Sequence, residues 1–403
     1  MATKLKSDWK EEPLSTYVDI KGGNGFPLKF QDKDADIAFL KVSDLGERNG
    51  HKSLLKAKHS ISKKSNETLK AKIYPANSII FAKIGAAVFL ERKRILSFDA
   101  CIDNNLAVIL PSSNIDVDFL YYLLNNYNIS DHVTATALPS INIKDFLSST
   151  HRFPEKPEQQ AIAKALSDID SLIEQISKEL IKQTNLFTSV SEELLNPQHN
   201  TEVKFQSFSL GKLGTTFGGL NGKSGKDFGT GSEYVTFLNV MNNLVLNPAT
   251  VDYVEIAPSE VQNKLRENDL VFNGSSETPE EAGLTSVVPR NLEGSYLNSF
   301  CFGFRFSKIE EIDPKYFALL SRSSIGRQII GLLAQGSTRY NISKTELLKV
   351  QWPIPDIDIQ RKTVEILSEI LSLIENTKLA KAKYEWIKQG MAHDLLTGKV
   401  RLV

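Results

Sequence analysis

The chain has 403 residues, of which 41% are hydrophobic and 24% are charged. Lys+Arg and Asp+Glu number 48 each, so the formal net charge is zero and no overall positive field attracts nucleic acid. Two cysteines are typical of a reducing compartment. The sequence shows neither an apolar secretion signal nor an apolar run of about 18 residues. We therefore expect a cytoplasmic protein with no membrane span, long enough for about two to four domains.

Landmarks of the first half of the chain recur in the second half in the same order. The first pair, Trp9 and Phe205, is 196 residues apart, and the last pair, Gln159 and Gln360, is 201 apart. The separation grows in one direction, as small insertions after a duplication would make it grow. The pairs between are Leu14 with Leu210, Gly22-Gly23 with Gly218-Gly219, FLKV at Phe39 with FLNV at Phe237, Asn142-Ile143 with Asn341-Ile342, and Phe153-Pro154 with Trp352-Pro353. The pattern predicts two similar units, each followed by a similar tail.

Each tail carries nearly the same phrase, LSDIDSLIE from Leu166 and LSEILSLIE from Leu367. Apolar residues recur in steps of three and four, which predicts long helices over 158–197 and 358–397. An apolar stripe cannot stay exposed to water, and the length of the heptad seam favours pairing of the two helices with each other. The alternative is that each helix packs on its own domain. The predicted helix-contact residues are Leu166, Ile169, Ile173, Leu367, Ile370 and Ile374.

The larger units, residues 1–157 and 203–357, have a different pattern. Short strand-like runs alternate with Gly, Asn and Pro turns, and one helix lies near the end of each unit. The sequence lacks the strand–helix alternation of a parallel sheet, so the predicted fold class is α+β. The predicted elements are strands at 78–81, 106–110, 269–272 and 301–306, and helices from 118 to 126 and from 314 to 321.

The sequence contains no catalytic or metal-binding motif with the required residue spacing. GGLNGKS, from Gly218 to Ser224, has the wrong spacing for a phosphate-binding loop, and Phe217 occupies the position that needs glycine. A flexible loop carrying Lys223 and Lys226 is the better interpretation. Asn196-Pro197 and Asn247-Pro248 lack the second proline of an amino-methyltransferase motif, and the histidines and cysteines show no zinc spacing. We expect a protein without catalytic activity, metal or cofactor of its own.

Polar and basic residues in the loops of both units are candidate DNA contacts, because Arg, Lys, Asn and Ser supply the donors that base edges and phosphates accept. Taken singly, each residue of this kind is more often a solvated surface residue than a contact. The basic run ERKRI, from Glu91 to Ile95, is most often only a solvated turn. The candidates are Lys83, Arg92, Arg94, Ser140, Asn142, Asn221, Lys223, Ser275, Ser276, Arg339, Tyr340 and Asn341.

These motifs, taken in order, resemble the specificity (S) subunits of type I restriction–modification systems. The resemblance covers nearly the whole chain. It departs from the family pattern where the first copy ends ELLNPQHN without Thr-Gly-Lys, and where Ile359 replaces a glutamate before Gln360. The motifs that carry it are DWKEEPL with GGNGFP, the series GGLNGKSGKDFGTG, NKLRENDLVF, SSETPEEAG, SYLNSF and GSTRYNIS, the hinges FPEKPEQQAIA and WPIPDIDIQRKTV, and the ending HDLLTGKVRL.

The resemblance implies two target recognition domains that each read half of a bipartite, asymmetric sequence in double-stranded DNA. It implies that two antiparallel coiled-coil helices separate these domains and dock two methyltransferase subunits. Those subunits would bring S-adenosylmethionine and methylate adenine at N6, and two restriction subunits would bring ATP, Mg²⁺ and DNA cleavage. A helix of roughly 36 residues at about 1.5 Å per residue would span roughly 54 Å, or about 16 base pairs. The competing interpretation is a coiled-coil scaffold with two protein-binding heads.

Overall fold

The computed structural model describes residues 9–46, 51–134, 137–307, 309–336 and 338–402. The predicted recognition domains extend over residues 1–8, 47–50, 135–136, 308 and 337, which lie outside the described residues. The chain forms two compact units. Unit 1 comprises Met1–Ser177 with Leu379–Val403, and unit 2 comprises Lys178–Lys378. Each of the two longest helices therefore begins in one unit and ends in the other.

Unit 1 is an α+β domain built on a five-stranded sheet. Its strands are β1 (Lys10–Pro13), β2 (Val18–Gly22), β3 (Ile37–Leu40), β4 (Ser53–Leu54), β5 (Ser60–Ile61), β6 (Ile79–Ala82), β7 (Lys93–Leu96), β8 (Ala100–Ile102), β9 (Leu106–Pro111), β10 (Val133–Thr134), β11 (Ser140–Ile141) and β12 (Thr150–Phe153). Its α-helices are α1 (Lys63–Leu69), α2 (Val117–Asn125), α3 (Ile143–Ser148) and the first part of α4 (Lys156–Leu195). Short 3-10 helices occur at Leu14–Thr16, Leu28–Phe30, Val42–Leu45, Ala86–Leu90 and Ile129–His132.

Unit 2 repeats this plan on a four-stranded sheet. Its strands are β13 (Gln206–Ser209), β14 (Gly214–Gly218), β15 (Phe228–Val235), β16 (Val251–Val254), β17 (Leu270–Asn273), β18 (Ser275–Ser276), β19 (Thr285–Val287), β20 (Tyr296–Leu297), β21 (Cys301–Phe306), β22 (Ala334–Gln335), β23 (Tyr340–Ile342) and β24 (Gln351–Ile354). Its α-helices are α5 (Leu210–Leu213), α6 (Phe237–Asn242), α7 (Pro314–Arg322), α8 (Ser324–Gly331), α9 (Lys344–Lys349) and the first part of α10 (Ile357–Leu396). Its 3-10 helices are Gly225–Asp227, Pro248–Thr250 and Arg290–Leu292.

The sheets of the two units have matching strand orders. The main sheet runs β2-β9-β6-β7-β4 in unit 1 and β14-β21-β17-β19 in unit 2, and a three-stranded sheet runs β5-β3-β8 and β16-β15-β20. The first strand of each unit pairs with the strand just before the long helix, as β1-β12 and β13-β24. The predicted duplication and the α+β class are therefore confirmed, and the predicted strands lie within about one residue of those observed.

Hydrogen-bonded register corrects part of the sequence matching. Gly23 and Gly219 do correspond, because a Cβ on either would lie 2.1 Å from a carbonyl oxygen of an equivalent turn, that of Asp103 or Asn298. Other matches are wrong by two or three residues. Leu40 corresponds to Val235, since each carbonyl accepts a hydrogen bond from that same turn.

The separation between equivalent residues also does not grow in one direction. Asn142 and Ser343 are the N-caps of α3 and α9 and are 201 residues apart, so the predicted match of Asn142 with Asn341 is wrong. Phe81 and Phe272 occupy equivalent ladder positions only 191 residues apart. Compared with unit 1, unit 2 is shorter before Phe272 and longer between Phe272 and Ser343. Short similar sequences close to the true positions produced the wrong matches.

The long helices begin close to the predicted residues. α4 starts at Lys156 and thus contains Pro157, which a first helical turn tolerates because its N–H groups need no partner within the helix. In unit 1, Ile162 and Leu166 of α4 pack in one core with Leu395 and Leu396 of α10. In unit 2, the end of α4 likewise shares a core with Leu367 of α10. Both helices thus contribute to both cores, and their pairing along the whole length stays a prediction.

Burial of the predicted helix-contact residues follows the heptad seam. Leu166, Ile169, Leu367 and Ile374 are buried, and Ile173 and Ile370 are half-buried. No helix in the part of the chain that the structure describes is long and apolar enough to cross a membrane.

Candidate nucleic-acid interface

In unit 1, two loops that carry predicted contacts are hydrogen-bonded to each other. The loop after β6 contains Lys83, whose carbonyl accepts from the Ile141 amide at 2.9 Å. Gly85 donates to the Pro139 carbonyl at 2.8 Å. The turn therefore places Lys83 and Ser140 on the same edge of the unit, as a joint readout site requires.

Glycine makes room for the Lys83 side chain. A Cβ on Gly22, at the end of β2, would lie 2.7 Å from the Lys83 Nζ. Any larger residue would push the ammonium group away. Lys83 is half-buried along its length, which suits an aliphatic stem packed on protein with a cationic end near the surface.

Ser140 lies in β11 and Asn142 directly follows it, and their side chains make different hydrogen bonds. The Ser140 hydroxyl hydrogen-bonds the Thr134 hydroxyl at 3.1 Å across the hairpin. Asn142 is exposed, and its Oδ1 accepts from the Asp145 amide at 3.2 Å as the N-cap of α3. A capping side chain keeps its amide nitrogen available for an external acceptor. Both residues remain predicted contacts.

The basic run from Glu91 to Ile95 is a largely buried turn that leads into the buried strand β7 at Lys93, and not a solvated turn. Lys93 and Glu91 form an ion pair of 2.6 Å, and their side chains are 1% and 6% exposed. Burial alone would raise the pKa of Glu91, but Lys93 and the Ser130 amide hold it below its usual value. Arg94 is 4% exposed, and its Nη1 donates to the Lys93 carbonyl at 2.6 Å. The prediction of Arg94 as a DNA contact is wrong, because its guanidinium does not reach the surface.

Arg92 is half-buried, and its Nε is a buried atom with no hydrogen-bond partner among the described residues. It lines a small crevice with Phe81, Glu91 and Ile129. A guanidinium with spare donors can still accept an external anion, so Arg92 stays a predicted contact.

In unit 2, the small sheet β18-β23-β22 brings four predicted contacts together. Ser275 lies opposite Asn341, and Ser276 lies opposite Tyr340 in an antiparallel pair. Arg339 is exposed on the turn that leads into β23. Ser276 is only 7% exposed, and its hydroxyl donates to Glu281 Oε2 at 2.9 Å, so its prediction as a direct contact is wrong.

Lys223 also fails as a direct contact. Its Nζ donates to the Glu255 carbonyl at 2.5 Å and to Glu260 Oε1 at 2.7 Å, and its side chain is 6% exposed. The lysine therefore fixes its own loop, which the sequence had predicted to be flexible. Asn221 is exposed, and its backbone exchanges two hydrogen bonds with the Gln262 side chain, at 3.2 and 2.9 Å. Asn221 remains a predicted contact.

Three side chains that the sequence did not single out close the base of the β10–β11 hairpin. Tyr127 Oη hydrogen-bonds His132 Nε2, and His132 Nδ1 pairs with Asp145 Oδ2. We call Tyr127, His132 and Asp145 the hairpin-base cluster. No local spacing in the sequence indicates this cluster, because Tyr127 lies in the loop after α2, His132 at the end of a 3-10 helix, and Asp145 in α3.

Neither cysteine is a plausible nucleophile. Burial raises the pKa of Cys101 to about 11 and that of Cys301 to about 12, so both stay protonated near neutrality. In the described ranges, no group of three or more His, Cys, Asp or Glu residues is arranged to hold a metal ion.

Two segments of the chain, residues 6–183 and 221–384, match the model of the type I restriction modification DNA specificity domain. The chain belongs to this family. It is 24% identical over 333 residues to the type I restriction enzyme MjaVIII specificity subunit of Methanocaldococcus jannaschii, with 78% of this chain and 76% of that protein covered. Both matched segments fall on the repeated units, so the duplication seen in the backbone is a duplication of the specificity domain.

Two solved structures share the fold. One is the type I restriction–modification S subunit of M. genitalium, with a TM-score of 0.59, 14% identity, and 98% of each chain covered. The other comes from a study of complex assembly and conformational transition of the type I R-M system, with a TM-score of 0.57, 14% identity, and 99% of this chain and 100% of that chain covered.

Proposed function

We propose that the chain is the DNA-recognition subunit of a type I restriction–modification complex, and that each unit reads one half of a bipartite, asymmetric site. The observation that carries the proposal is the repeated hydrogen-bonded framework with unlike loop side chains. Unit 1 presents Lys83 and Ser140 where unit 2 presents Ser275, Arg339 and Asn341. Different donors and acceptors on equivalent loops select different bases.

The chain itself contributes recognition and no catalysis. Two methyltransferase subunits bring S-adenosylmethionine and methylate adenine at N6, and two restriction subunits bring ATP, Mg²⁺ and cleavage. A formal net charge of zero fits this division of labour, because the partners can supply much of the salt-dependent attraction to phosphates.

The long helices set the separation of the two reading surfaces and dock the methyltransferase subunits. Exposed apolar side chains on these helices support docking. Trp386 is 76% exposed and Leu379 61% exposed on α10, and Ile181 is 61% exposed on α4. An exposed tryptophan is the residue type that most often dominates a protein interface. Trp386→Ala should therefore weaken assembly with the methyltransferase in a pull-down, whereas the exposed apolar residue Val261, far from either helix in sequence, should tolerate alanine.

The decisive experiment maps N6-methyladenine in the DNA of cells that express the chain with its cognate methyltransferase. A bipartite motif with a fixed unread gap is expected. Replacing residues 1–157 with the equivalent unit of a relative should change one half of that motif and leave the other unchanged. A methylated genome without any enriched motif would instead favour the protein-scaffold interpretation.

A further inference from the structure

The β10–β11 hairpin of unit 1 is closed at its base by a polar chain of side chains. His132 lies just before β10, and its ring bonds Tyr127 on one side and Asp145 on the other. The same residue accepts a backbone hydrogen bond from the Asn142 amide at 2.8 Å, just after β11. His132 therefore fixes both ends of the hairpin through its ring and its carbonyl group.

The hairpin-base cluster packs on buried aromatic rings. The His132 ring lies 5.4 Å from that of Phe146, which is fully buried, and the His132 side chain is 11% exposed. Beneath it, the rings of Tyr127 and His151 meet edge to face at 4.9 Å. Burial and the nearby His132 lower the pKa of His151, so that ring stays neutral and packs as an aromatic group.

The hairpin that this cluster holds carries the predicted reading edge of unit 1. Thr134 pairs with Ser140, and the strand that contains Ser140 bridges Ile84, next to Lys83. A shift of the hairpin by a fraction of an ångström would move Ser140 and the Lys83 loop together. Hydrogen-bond readout of a base tolerates little displacement.

Unit 2 builds the equivalent base without this chemistry. Its hairpin pairs Ala334 with Ile342 where unit 1 pairs Val133 with Ile141, so Leu333 stands in the place of His132. Leu333 packs against the apolar core of unit 2. The polar cluster is thus a feature of one reading unit and is not required by the fold.

We propose that His132, supported by Tyr127 and Asp145, is a positioning residue that determines how well unit 1 discriminates its half of the DNA site. This inference rests on the proposed function. Because His132 acts through the hairpin, its substitution should reduce discrimination at one half-site only. A general loss of folding would instead reduce binding at both half-sites.

The test uses the full chain assembled with its methyltransferase subunits and duplexes that carry single base substitutions in either half-site. His132→Leu copies the unit 2 residue and removes both side-chain hydrogen bonds. We expect discrimination of the unit 1 half-site to fall about tenfold while the other half changes by less than about twofold. His132→Asn can still bond Asp145 and should restore most of the discrimination.

Tyr127→Phe removes one hydroxyl from the same cluster and serves as a second variant if His132→Leu does not assemble. A smaller loss, again confined to the unit 1 half-site, is expected. Unchanged discrimination in a folded complex, or equal losses at both half-sites, would overturn the role of His132. If the unsubstituted complex prefers no bipartite site at all, the proposed function fails and not the positioning role alone.

Discussion

The two units contact the long helices at equivalent positions through different side chains, which are charged and polar in unit 1 and apolar in unit 2. In unit 1 the site is filled by a charged network. Lys388 of α10 pairs with Asp170 of α4 at 2.5 Å, and Tyr122 donates to Asp170 at 2.8 Å. Lys52 lies over the Tyr122 ring and donates to Ser167 at 3.4 Å. The bonds to Asp170 and Ser167 of α4 join that helix to α10, to α2 and to the loop that carries Lys52 within unit 1.

The same site in unit 2 is a cavity of about 460 Å³ that four apolar residues line together with polar ones, among them Glu192, Asn242 and Arg322. Its four apolar wall residues are the positional counterparts of the unit 1 network. Tyr122 and Leu319 follow equivalent N-caps, and Asp170 and Leu371 are the same position of the repeated helix phrase. The full correspondence is Lys52 with Leu244, Tyr122 with Leu319, Asp170 with Leu371, and Lys388 with Phe187.

The hinge at the start of each long helix shows the same difference between the two units. Glu158 accepts from Trp9 Nε1 at 3.0 Å and from two Arg401 nitrogens at 2.5 and 2.6 Å. Unit 2 has Phe205 in place of the tryptophan, which removes the N–H, and Ile359 in place of the glutamate. The departure from the family pattern at Ile359 thus has a physical cause, since a buried carboxylate without donors would be costly. The framework of backbone hydrogen bonds is shared, while the side chains that fill it have diverged as coupled sets.

The largest loss of stability is expected when one charged residue of the unit 1 network is introduced at its counterpart in unit 2 without its partners. Leu371→Asp would remove half-buried apolar packing and place a carboxylate beside Phe187, Leu244 and Leu319 without the lysine that pairs with Asp170 in unit 1, at a cost of about 2–3 kcal/mol. Thermal unfolding should shift down by roughly 5–10 °C. Adding Phe187→Lys and Leu319→Tyr should recover much of the loss, because it rebuilds the unit 1 network. Leu373→Asp, at a 48% exposed position of the same helix, is the matched control and should change little. A triple variant no better than Leu371→Asp would show that the two sites are not interchangeable.

Acid should weaken the hinge of unit 1 and spare that of unit 2. Burial would raise the pKa of Glu158, but its bonds to Arg401 and Trp9 lower it below the usual 4.5. A depressed carboxyl pKa contributes stability that is present above the unfolded pKa and is lost as pH falls through the folded pKa. Glu158→Gln should destabilise the protein by about 1–3 kcal/mol near neutral pH and should flatten the fall in stability below pH 4.5.

Hydrogen exchange can assign the acid effect to one hinge. Amides at the start of α4 should lose protection as pH falls after correction for intrinsic exchange rates, and those at the start of α10 should not. Equal losses at both hinges would mean that Glu158 is not the source.

A smaller effect is expected at Asp170. Asp170→Asn removes the ion pair with Lys388 but leaves an acceptor for Tyr122. The two charged side chains are 31% and 36% exposed, so solvent screens their attraction, and a loss of about 1 kcal/mol is expected from chemical denaturation. Asp168→Asn breaks the exposed pair with Lys164 on the same helix and should cost less than about 0.5 kcal/mol. If Asp170→Asn costs no more stability than the Asp168→Asn control, the charged network does not stabilise unit 1.

The sequence predicts the duplication and the long helices because periodicity is a local property. Ile162, Leu166 and Ile169 recur at helical spacing whatever they contact. Register between distant strands is not local, and so the FLKV match slipped by three residues and the Asn142 match by two. Burial of cations is equally hidden. Arg94 and Lys223 look like surface donors in the sequence, and only the fold brings the carbonyls and carboxylates that occupy them.

The smallest effect has the opposite sign and concerns one hydroxyl in the unit 2 cavity. Ser191 is 7% exposed, and its Oγ has no hydrogen-bond partner among the described residues. Unit 1 has Ala392 at the corresponding position. Ser191→Ala should therefore stabilise the protein by about 0.5–1 kcal/mol, by removing an unsatisfied polar group and raising helix propensity. If Ser191→Ala destabilises instead, the hydroxyl must be bonded in solution, and the cavity is then a hydrated site and not a gap left by the lost charged network.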